Sequence, residues 1–343
     1  MAVATSTNYA ALSSYVSKKG LAVAKPNLIY NAYGEQYTIP QKSSKTIKFR
    51  RYERFSPTTG RDLANLRVLV EGTTPSDTIA TPTDLTLTLS QYGFLTRWAE
   101  VAEWINEVSV DQNLLDRNSQ NMSETVDCVT RDAIQAGTTV FRLTDNIGSV
   151  SGAARVNVIG KVNADALDKA IRTLEQGEAK YYTEMISAST KIGTSGVRPA
   201  YIMHIHPDVK YDLEKVPGFK AVPDYGSYEG VMIGEVGSYK NIRFVMSTFA
   251  KIFSDSGAAV STTGVKYTTA TTACDVYSCT LVGKNAYGVV NLASAAEIKY
   301  TPHTAVDHSN PLGQWASLGW KAMCGALILN DNWMLRFECA ATG

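Results

Sequence analysis

Two strand-like segments, TIKFRRYER at residues 46–54 and DLTLTLS at residues 84–90, enclose the stretch of sequence that decides the fold. In the second segment leucines alternate strictly with polar residues, which is the pattern of a strand with one buried face. The connection over residues 55–84 contains turn residues and one short apolar piece at residues 66–70, but no core of its own. An isolated two-stranded ribbon is marginally stable in water, so we expect a ribbon that needs a neighbouring molecule. A mobile surface loop is the alternative interpretation.

Length and composition predict a soluble protein with two lobes. A chain of 343 residues exceeds the size at which one hydrophobic core keeps growing. No apolar run approaches the roughly 18 residues of a membrane helix. The N-terminal residues also lack the basic region followed by a compact apolar segment that marks a secretion signal, so we expect no membrane partner. The five cysteines are scattered without the spacing of a zinc site, which predicts buried free thiols in a reducing cytoplasm.

Charge is distributed unevenly, although the formal net charge is only +1. Residues 1–61 carry ten basic and two acidic residues, whereas residues 100–145 carry nine acidic and three basic residues. Opposite charges on two segments favour pairing of these segments, either between subunits or within one. The basic segment could also steer the protein toward a polyanion. Solvated charge is the alternative, because a single surface pair contributes only about 0 to 1 kcal/mol. The candidate subunit-interface residues on these segments and the ribbon are Lys18, Lys19, Arg50, Arg51, Arg54, Arg61, Arg67, Glu71, Glu100, Glu103 and Glu107.

The spacing of apolar residues becomes helical after Trp98. A long amphipathic helix ending near Gly137 is predicted by one stripe, and a second helix capped by Asn163 is predicted by another. The first stripe consists of Leu115, Met122, Val126, Val129 and Ala133, and the second of Leu167, Ala170, Ile171 and Leu174. Stripes of this kind are most often core, and we expect both to be buried.

Residues 197–290 have the pattern of a separate lobe of mixed structure. Short strands and a helix are predicted between Ala200 and Met246, followed by a loop or flat edge over residues 251–274. Residues 296–339 are again apolar and β-prone, and we expect them to pair back into the first lobe. The middle lobe would then be an insertion, and the fold class would be α+β.

One cluster could carry chemistry. His204 and His206 flank Ile205, so on a strand they would point the same way, with Asp208 as a third group. Because Pro207 interrupts the strand and no further ligand cluster accompanies the pair, capping of the following helix is the favoured interpretation. The glycine and serine patterns match no dinucleotide loop, phosphate loop or nucleophile elbow, so we predict no catalytic residue, cofactor or metal. An α+β metalloenzyme using His204 and His206 is kept as an alternative.

Nucleic-acid binding has limited support in the sequence. The basic N-terminal segment is interleaved with tyrosines, but no known DNA- or RNA-binding motif accompanies it. Only sequence-independent contact with phosphates follows from this composition. A DNA-packaging factor without sequence specificity is the other alternative.

Four segments resemble the major capsid proteins of tailed bacteriophages with the Hong Kong 97 fold, especially the branch found in podophages related to phage N-four. The segments are TLTLSQYG at residues 86–93, RPAYIMHIHPDVKYDL at residues 198–213, GEVGSYKNIRFV at residues 234–245 and LGQWASLGWKAMCGALILNDNWMLRFE at residues 312–338. They occur in the order expected for that family. None of them is a catalytic signature.

The resemblance implies an α+β fold in four parts and a structural function. The parts are an N-terminal arm at residues 1–45, an extended two-stranded loop at 46–97, a peripheral lobe with a long spine helix at 98–196 and 292–343, and an axial lobe at 197–291. The chain would self-assemble into hexamers and pentamers of an icosahedral head that encloses double-stranded DNA, which it contacts non-specifically. It would be assembled in the host cytoplasm, reside in the virion, and have a portal and a decoration protein as further partners.

Two departures from the family pattern carry further expectations. The sequence has no lysine between Lys48 and Lys161, so we expect no covalent cross-link through the tip of the extended loop. The shell would be held by apolar burial and by many charge pairs, each weak alone. No coiled-coil-like extension precedes the arm, so we expect a separate scaffolding protein.

Overall fold

The computed structural model describes residues 28–52, 71–74, 82–105, 110–145, 148, 150–151, 154–182, 199–225, 231–259, 264–268, 273–293, 296–305 and 310–343. Its helices are α1 Glu100–Ile105, α2 Val110–Ile134, α3 Ala164–Gln176 and α4 Pro207–Leu213. Its strands are β1 Glu35–Ile39, β2 Thr46–Tyr52, β3 Pro82–Thr88, β4 Ser90–Ala99, β5 Val140–Leu143, β6 Val150–Ser151, β7 Tyr201–Ile205, β8 Lys220–Ala221, β9 Glu235–Tyr239, β10 Ile242–Met246, β11 Ile252–Phe253, β12 Val276–Val282, β13 Tyr287–Leu292, β14 Glu297–Thr301, β15 Trp315–Ile328 and β16 Met334–Cys339. Short 3-10 turns lie at Arg155–Asn157, Val222–Asp224 and Asp331–Trp333.

The largest sheet contains nine strands in the order β6-β5-β16-β12-β7-β10-β9-β8, with β11 beside β12. Strands β7 and β12 are buried along their whole length. Helix α3 covers one face of this sheet with the four apolar residues that the sequence predicted, and Asn163 caps it by accepting a hydrogen bond from the Ala166 amide. The predictions for α3, α4 and the strands at β7 and β10 are therefore confirmed.

A second sheet of five strands has the order β1-β13-β15-β14, and β4 also pairs with β15. Strand β15 contains 14 residues, and its buried and half-buried positions alternate over most of its length. The C-terminal segment therefore divides, because β15 pairs with β4 as expected while β16 joins the nine-stranded sheet through the 3-10 turn at Asp331–Trp333. The nine-stranded sheet contains strands from both sides of residue 197. The boundaries of the four parts stay a prediction.

Strands β2 and β3 form a separate two-stranded ribbon, as the alternation predicted. They pair antiparallel from Thr46 opposite Thr88 to Tyr52 opposite Pro82. The aliphatic side chains and Phe49 of the ribbon are half-buried, and at its base Ile47, Phe49 and Leu87 pack against a small cluster around Leu89. Residues 53–70 and 75–81, including the apolar piece at 66–70, lie outside the described residues.

The long helix α2 forms where it was predicted, but the prediction of its buried stripe is wrong. Leu115 is 45% exposed, and the other four residues of the stripe are only half-buried. The described positions that α2 buries are Asn118, Asp127, Thr130 and Ile134. Each of the three polar side chains there makes at least one hydrogen bond, as apolar spacing alone could not show.

The helix packs along β15 through some of these hydrogen bonds. The Trp320 indole donates to Asn121 Oδ1 at 3.0 Å, and the Asn118 amide donates to Thr96 Oγ1 at 3.1 Å. Met122 and Val126 border a groove of about 470 Å³ that is also lined by Leu28 and by Ala322 and Met323 of β15. The predicted stripe is only half-buried because it lies at the edge of this groove.

The cysteines are free thiols, as predicted. Four are buried, and Cys128 on α2 is half-buried. Burial raises the pKa of the Cys324 and Cys274 thiols, which favours the unreactive protonated form. Among the described residues, no helix combines the length and apolar character needed to span a membrane.

Candidate subunit interface

The predicted interface cations on the ribbon are held by groups of the same chain. Arg50 donates two hydrogen bonds to the Asp84 carboxylate across the ribbon, at 2.8 and 3.0 Å. The hydrogen bond from Arg50 lowers the pKa of the Asp84 carboxyl. Arg51 instead points to the five-stranded sheet and donates to the Leu329 carbonyl oxygen at 3.1 Å. Arg50 thus holds the two strands of the ribbon together, and Arg51 fastens the end of β2 that lies away from Thr46 to the residue after β15.

The predicted interface acids on α1 are joined to the turn between β14 and β15. Glu103 Oε2 lies 2.6 Å from His303 Nε2, and the Glu100 amide donates to the Gln314 carbonyl oxygen at 2.9 Å. Trp98, at the end of β4, stacks on Tyr300 of β14 with ring centroids 6.2 Å apart. These contacts hold α1 against the end of the five-stranded sheet.

The remaining predicted interface residues are not brought to one place. Glu71 lies in an exposed turn at residues 71–74. The others lie outside the described residues, namely Lys18, Lys19, Arg54, Arg61, Arg67 and Glu107. Whether these charges meet between copies stays a prediction.

Sequence reasoning missed the apolar face of α1. Val101, Trp104 and Ile105 are all exposed, and α1 buries none of its residues. They stand at positions i, i+3 and i+4, so they share one side of the helix. That spacing is visible in the sequence and was the signal that could have predicted this face. Exposed apolar patches of this kind mark interaction surfaces.

The two histidines that could have formed a metal site lie in different surroundings. His204 is fully buried beside the Tyr30 ring, with centroids 4.7 Å apart, and burial lowers its pKa to about 3. His206 caps α4 by accepting a hydrogen bond from the Asp208 amide at 3.2 Å, which confirms the capping prediction. Nowhere in the described ranges do three or more His, Cys, Asp or Glu residues come close enough to hold a metal ion. The geometry gives the metalloenzyme alternative no support.

A buried ionic cluster lies where β5 and β16 meet. The Glu338 carboxylate has no exposed surface and accepts hydrogen bonds from Arg142 at 2.8 Å and from Arg155 at 2.9 Å. Arg336 Nε lies 3.0 Å from the same carboxylate. Burial acts to raise the pKa of Glu338, but the arginine hydrogen bonds and charges outweigh it and the pKa is lowered. Because every member has an ionic partner, the cluster has the character of a structural network.

No protein-family model matches the sequence, and no curated protein sequence matches it. In solved structures, however, the fold of this chain is matched over nearly its whole length by chains of phage capsids. The chain is similar to the capsid of cyanophage Pam1, with 10% identity, 100% of this chain and 99% of that chain covered, and a TM-score of 0.64. It is similar to the capsid of Ralstonia phage GP4, with 13% identity, 96% of each chain covered and a TM-score of 0.63.

A third similar structure is the capsid of cyanophage P-SCSP1u, with 16% identity, 96% of this chain and 93% of that chain covered, and a TM-score of 0.58. The likeness thus extends over nearly the full length of both chains in each of these pairs. The α+β class and the resemblance to capsid proteins predicted from the sequence are confirmed at the level of the fold.

Proposed function

We propose that this protein is the major capsid protein of a bacteriophage and that its copies self-assemble into an icosahedral head around double-stranded DNA. The observation that carries the proposal is full-length similarity in both directions, since the Pam1 capsid match covers 100% of this chain and 99% of that chain. The whole chain is therefore accounted for by a fold seen in shells.

The surface of the subunit supports a self-associating function. One face of the β2–β3 ribbon packs on the cluster around Leu89, whereas Lys48 and Tyr52 on the other face are exposed and could be covered by a neighbouring copy. Helix α1 presents Trp104 to solvent, and tryptophan is enriched among the residues that carry binding energy at interfaces. A subunit whose neighbours cover these features would be complete only in the assembly.

The organisation and partners of the shell belong to the same proposal. Hexamers and pentamers would form from a peripheral lobe containing α2, an axial lobe, an arm and an extended loop. The protein would reside in the virion after assembly in the host cytoplasm, with a scaffolding protein, a portal and a decoration protein as partners. It would contact packaged DNA without sequence specificity and perform no enzymatic reaction.

Two deletions test the proposal. Removal of residues 1–27, which leaves β1 and the buried Ile29 and Tyr30 in place, or of residues 58–81, which leaves β3 in place, should abolish assembly, because the proposed arm and loop would no longer reach a neighbour. Circular dichroism and thermal unfolding should show that the remaining body is still folded. Normal particles from either deletion variant, seen by negative-stain electron microscopy, would count against a shell built in this way.

A further inference from the structure

The ionic cluster where β5 and β16 meet contains more positive charge than negative charge. Three arginines, Arg142, Arg155 and Arg336, surround the single carboxylate of Glu338, so these four side chains have a net charge of +2. Burial and the charges of the two neighbouring arginines lower the pKa of Arg336, although Glu338 acts to raise it. One carboxylate therefore does not fully compensate the cations placed around it.

The arginines form the accessible part of the cluster. The side chain of Glu338 has no exposed surface, whereas the side chains of Arg142, Arg155 and Arg336 are 17%, 28% and 12% exposed. An ion that approaches from solvent therefore meets guanidinium groups before it meets the carboxylate. Because partly buried charges are screened less than charges on the open surface, the excess positive charge attracts an anion strongly.

The nine-stranded sheet fixes the positions of two of these arginines. Arg336 and Glu338 alternate along β16 with Leu335 and Phe337, which pack in the core beneath α3. Because side chains alternate between the two faces of a strand, the charged pair lies on the face opposite α3. Arg142 stands directly opposite Glu338 on the neighbouring strand β5. These arginines are therefore carried by regular structure and not by a loop.

Arg155 reaches the cluster from the 3-10 turn at Arg155–Asn157. Its Nε and Nη2 atoms donate to the Glu338 carboxylate at 3.2 and 2.9 Å, and its guanidinium carbon lies 3.5 Å from the centre of the Phe253 ring. The carboxylate and the aromatic ring together fix the plane of this guanidinium. Its third nitrogen, Nη1, makes no hydrogen bond to the residues that the structure describes, so it is a donor available to a further anion.

We propose that Arg142, Arg155 and Arg336 form a binding site for a doubly charged phosphate group, either inorganic phosphate or the phosphate of a monoester. Two negative charges match the excess charge of the cluster, and arginine binds phosphate oxygens through paired N–H donors. A phosphate group has several acceptor oxygens and can meet guanidinium groups from three directions, whereas a carboxylate has two oxygens in one plane. The site goes beyond the proposed function, and its occupation does not depend on assembly.

The first experiment titrates the unassembled full-length chain with inorganic phosphate in a calorimeter, at constant ionic strength and mildly alkaline pH. We expect saturable binding and an unfolding temperature that rises with phosphate concentration, because a ligand of the folded state stabilises it. Methyl phosphate, which also carries two charges at this pH, should bind in the same way. Dimethyl phosphate, which carries a single charge, should show no saturable binding. Equal binding of the two esters, or no binding of phosphate, would overturn the inference.

Variants of Arg155 assign the binding to this cluster. Arg155→Gln should weaken phosphate binding about tenfold or more, because it removes a charge together with charge-assisted donors. Arg155→Lys keeps the charge but not the planar fork, so it should weaken binding less, and it serves as the comparison if Arg155→Gln does not fold. Arg50→Gln is the matched control, since Arg50 also donates two hydrogen bonds to a carboxylate but forms a one-to-one pair with Asp84. Wild-type affinity in the Arg155 variants that fold would overturn the site.

Two further outcomes would assign the excess charge to another partner. Duplex DNA without terminal phosphates that binds the wild type but not Arg155→Gln would indicate a site for singly charged phosphodiesters and overturn the choice of ligand. Loss of assembly in Arg155→Gln, without phosphate binding by the wild type, would indicate an acidic side chain of a second copy instead. Failure of the wild-type chain to assemble would overturn the proposed function alone, because phosphate binding is measured on the unassembled chain.

Discussion

The hydroxyl of Tyr287 donates a hydrogen bond of 2.6 Å to the backbone carbonyl oxygen of Tyr30, although 257 residues separate them in the chain. Both side chains are fully buried. The next residue, Asn31, donates its amide to Asp127 of α2 at 2.8 Å. The segment before β1 is therefore clamped between the long helix and the strand β13.

Tyr287→Phe should lower the free energy of unfolding by about 1 to 3 kcal/mol, because it removes a buried donor and leaves a buried carbonyl group without it. Urea unfolding followed by circular dichroism measures the change. Tyr52→Phe, at an exposed position, is the control and should leave the free energy unchanged. Equal stability of Tyr287→Phe and the wild type would show that the clamp contributes nothing.

His204→Phe should reduce the loss of stability at acidic pH. Burial lowers the pKa of His204 from about 6.5 to about 3, so between these values the unfolded chain binds more protons than the folded chain. The contribution of neutral His204 to the free energy of unfolding is therefore fully present above pH 6.5 and is lost as the pH falls toward 3. Its slope is at most about 1.4 kcal/mol per pH unit. At neutral pH the variant should be at least as stable as the wild type, since both ring nitrogens lack a hydrogen-bond partner among the described residues.

Unfolding midpoints measured from pH 7 to pH 4 give this profile. His206→Asn is the comparison, because asparagine also caps helices and His204 remains in place. Burial lowers the pKa of His206 too, so the variant removes the contribution of this partly exposed histidine and keeps that of the fully buried one. The unfolding midpoint of that variant should fall with pH almost as steeply as that of the wild type. A profile of His204→Phe as steep as that of the wild type would exclude His204 as its source.

Glu338→Gln should be strongly destabilising. It leaves the guanidinium groups of Arg142, Arg155 and Arg336 without their shared carboxylate, and removal of one partner from a buried ionic network costs about 3 to 5 kcal/mol. Because the pKa of Glu338 is lowered in the folded chain, its contribution is present above the ordinary glutamate pKa and is lost as the pH falls below it. Chemical unfolding at pH 7 provides the measurement.

Glu297→Gln is the matched control for this change, because its ion pairs with Lys299 and Lys321 are exposed. Pairs of this kind contribute about 0 to 1 kcal/mol. Similar effects of the two substitutions would contradict the assignment of Glu338 to a buried network.

Asn163→Ala should destabilise the chain by about 1 kcal/mol, because it removes the side-chain acceptor of the Ala166 amide at the start of α3. Thermal unfolding is sufficient to detect this change. Arg172→Ala on the exposed side of the same helix should have little effect. An equal loss in both variants would assign the effect to helix propensity and not to the cap.

The sequence allowed prediction of the elements whose burial follows a regular period. The ribbon of β2 and β3 and the apolar face of α3 were predicted because one side of each element is apolar and the other polar. The buried face of α2 was missed because Asn118 and Asp127 take partners from distant parts of the chain. Apolar spacing carries no information about such partners.

The sum of charges over a segment likewise did not predict which residues pair at the candidate interface. The excess of basic residues before residue 61 was real, but it did not show that Arg50 would pair with Asp84 across the ribbon. Nor did the acids after residue 100 show that Glu103 would meet His303 of a turn 200 positions later. The sum of charges over a segment indicates its electrostatic field, whereas the fold determines which residues come close enough to pair. The spacing of Val101, Trp104 and Ile105 placed them on one side of α1, but only the fold shows that this side is exposed.

Self-assembly of the purified full-length chain tests the proposed function most directly. Negative-stain electron microscopy and sedimentation should be carried out over a series of protein concentrations, with and without a crowding agent. We predict closed shells, or rings of five and six subunits, in which the ribbon and the α1 face are protected from proteolysis. A single monomeric species throughout the series, with both surfaces still accessible, would contradict the proposal.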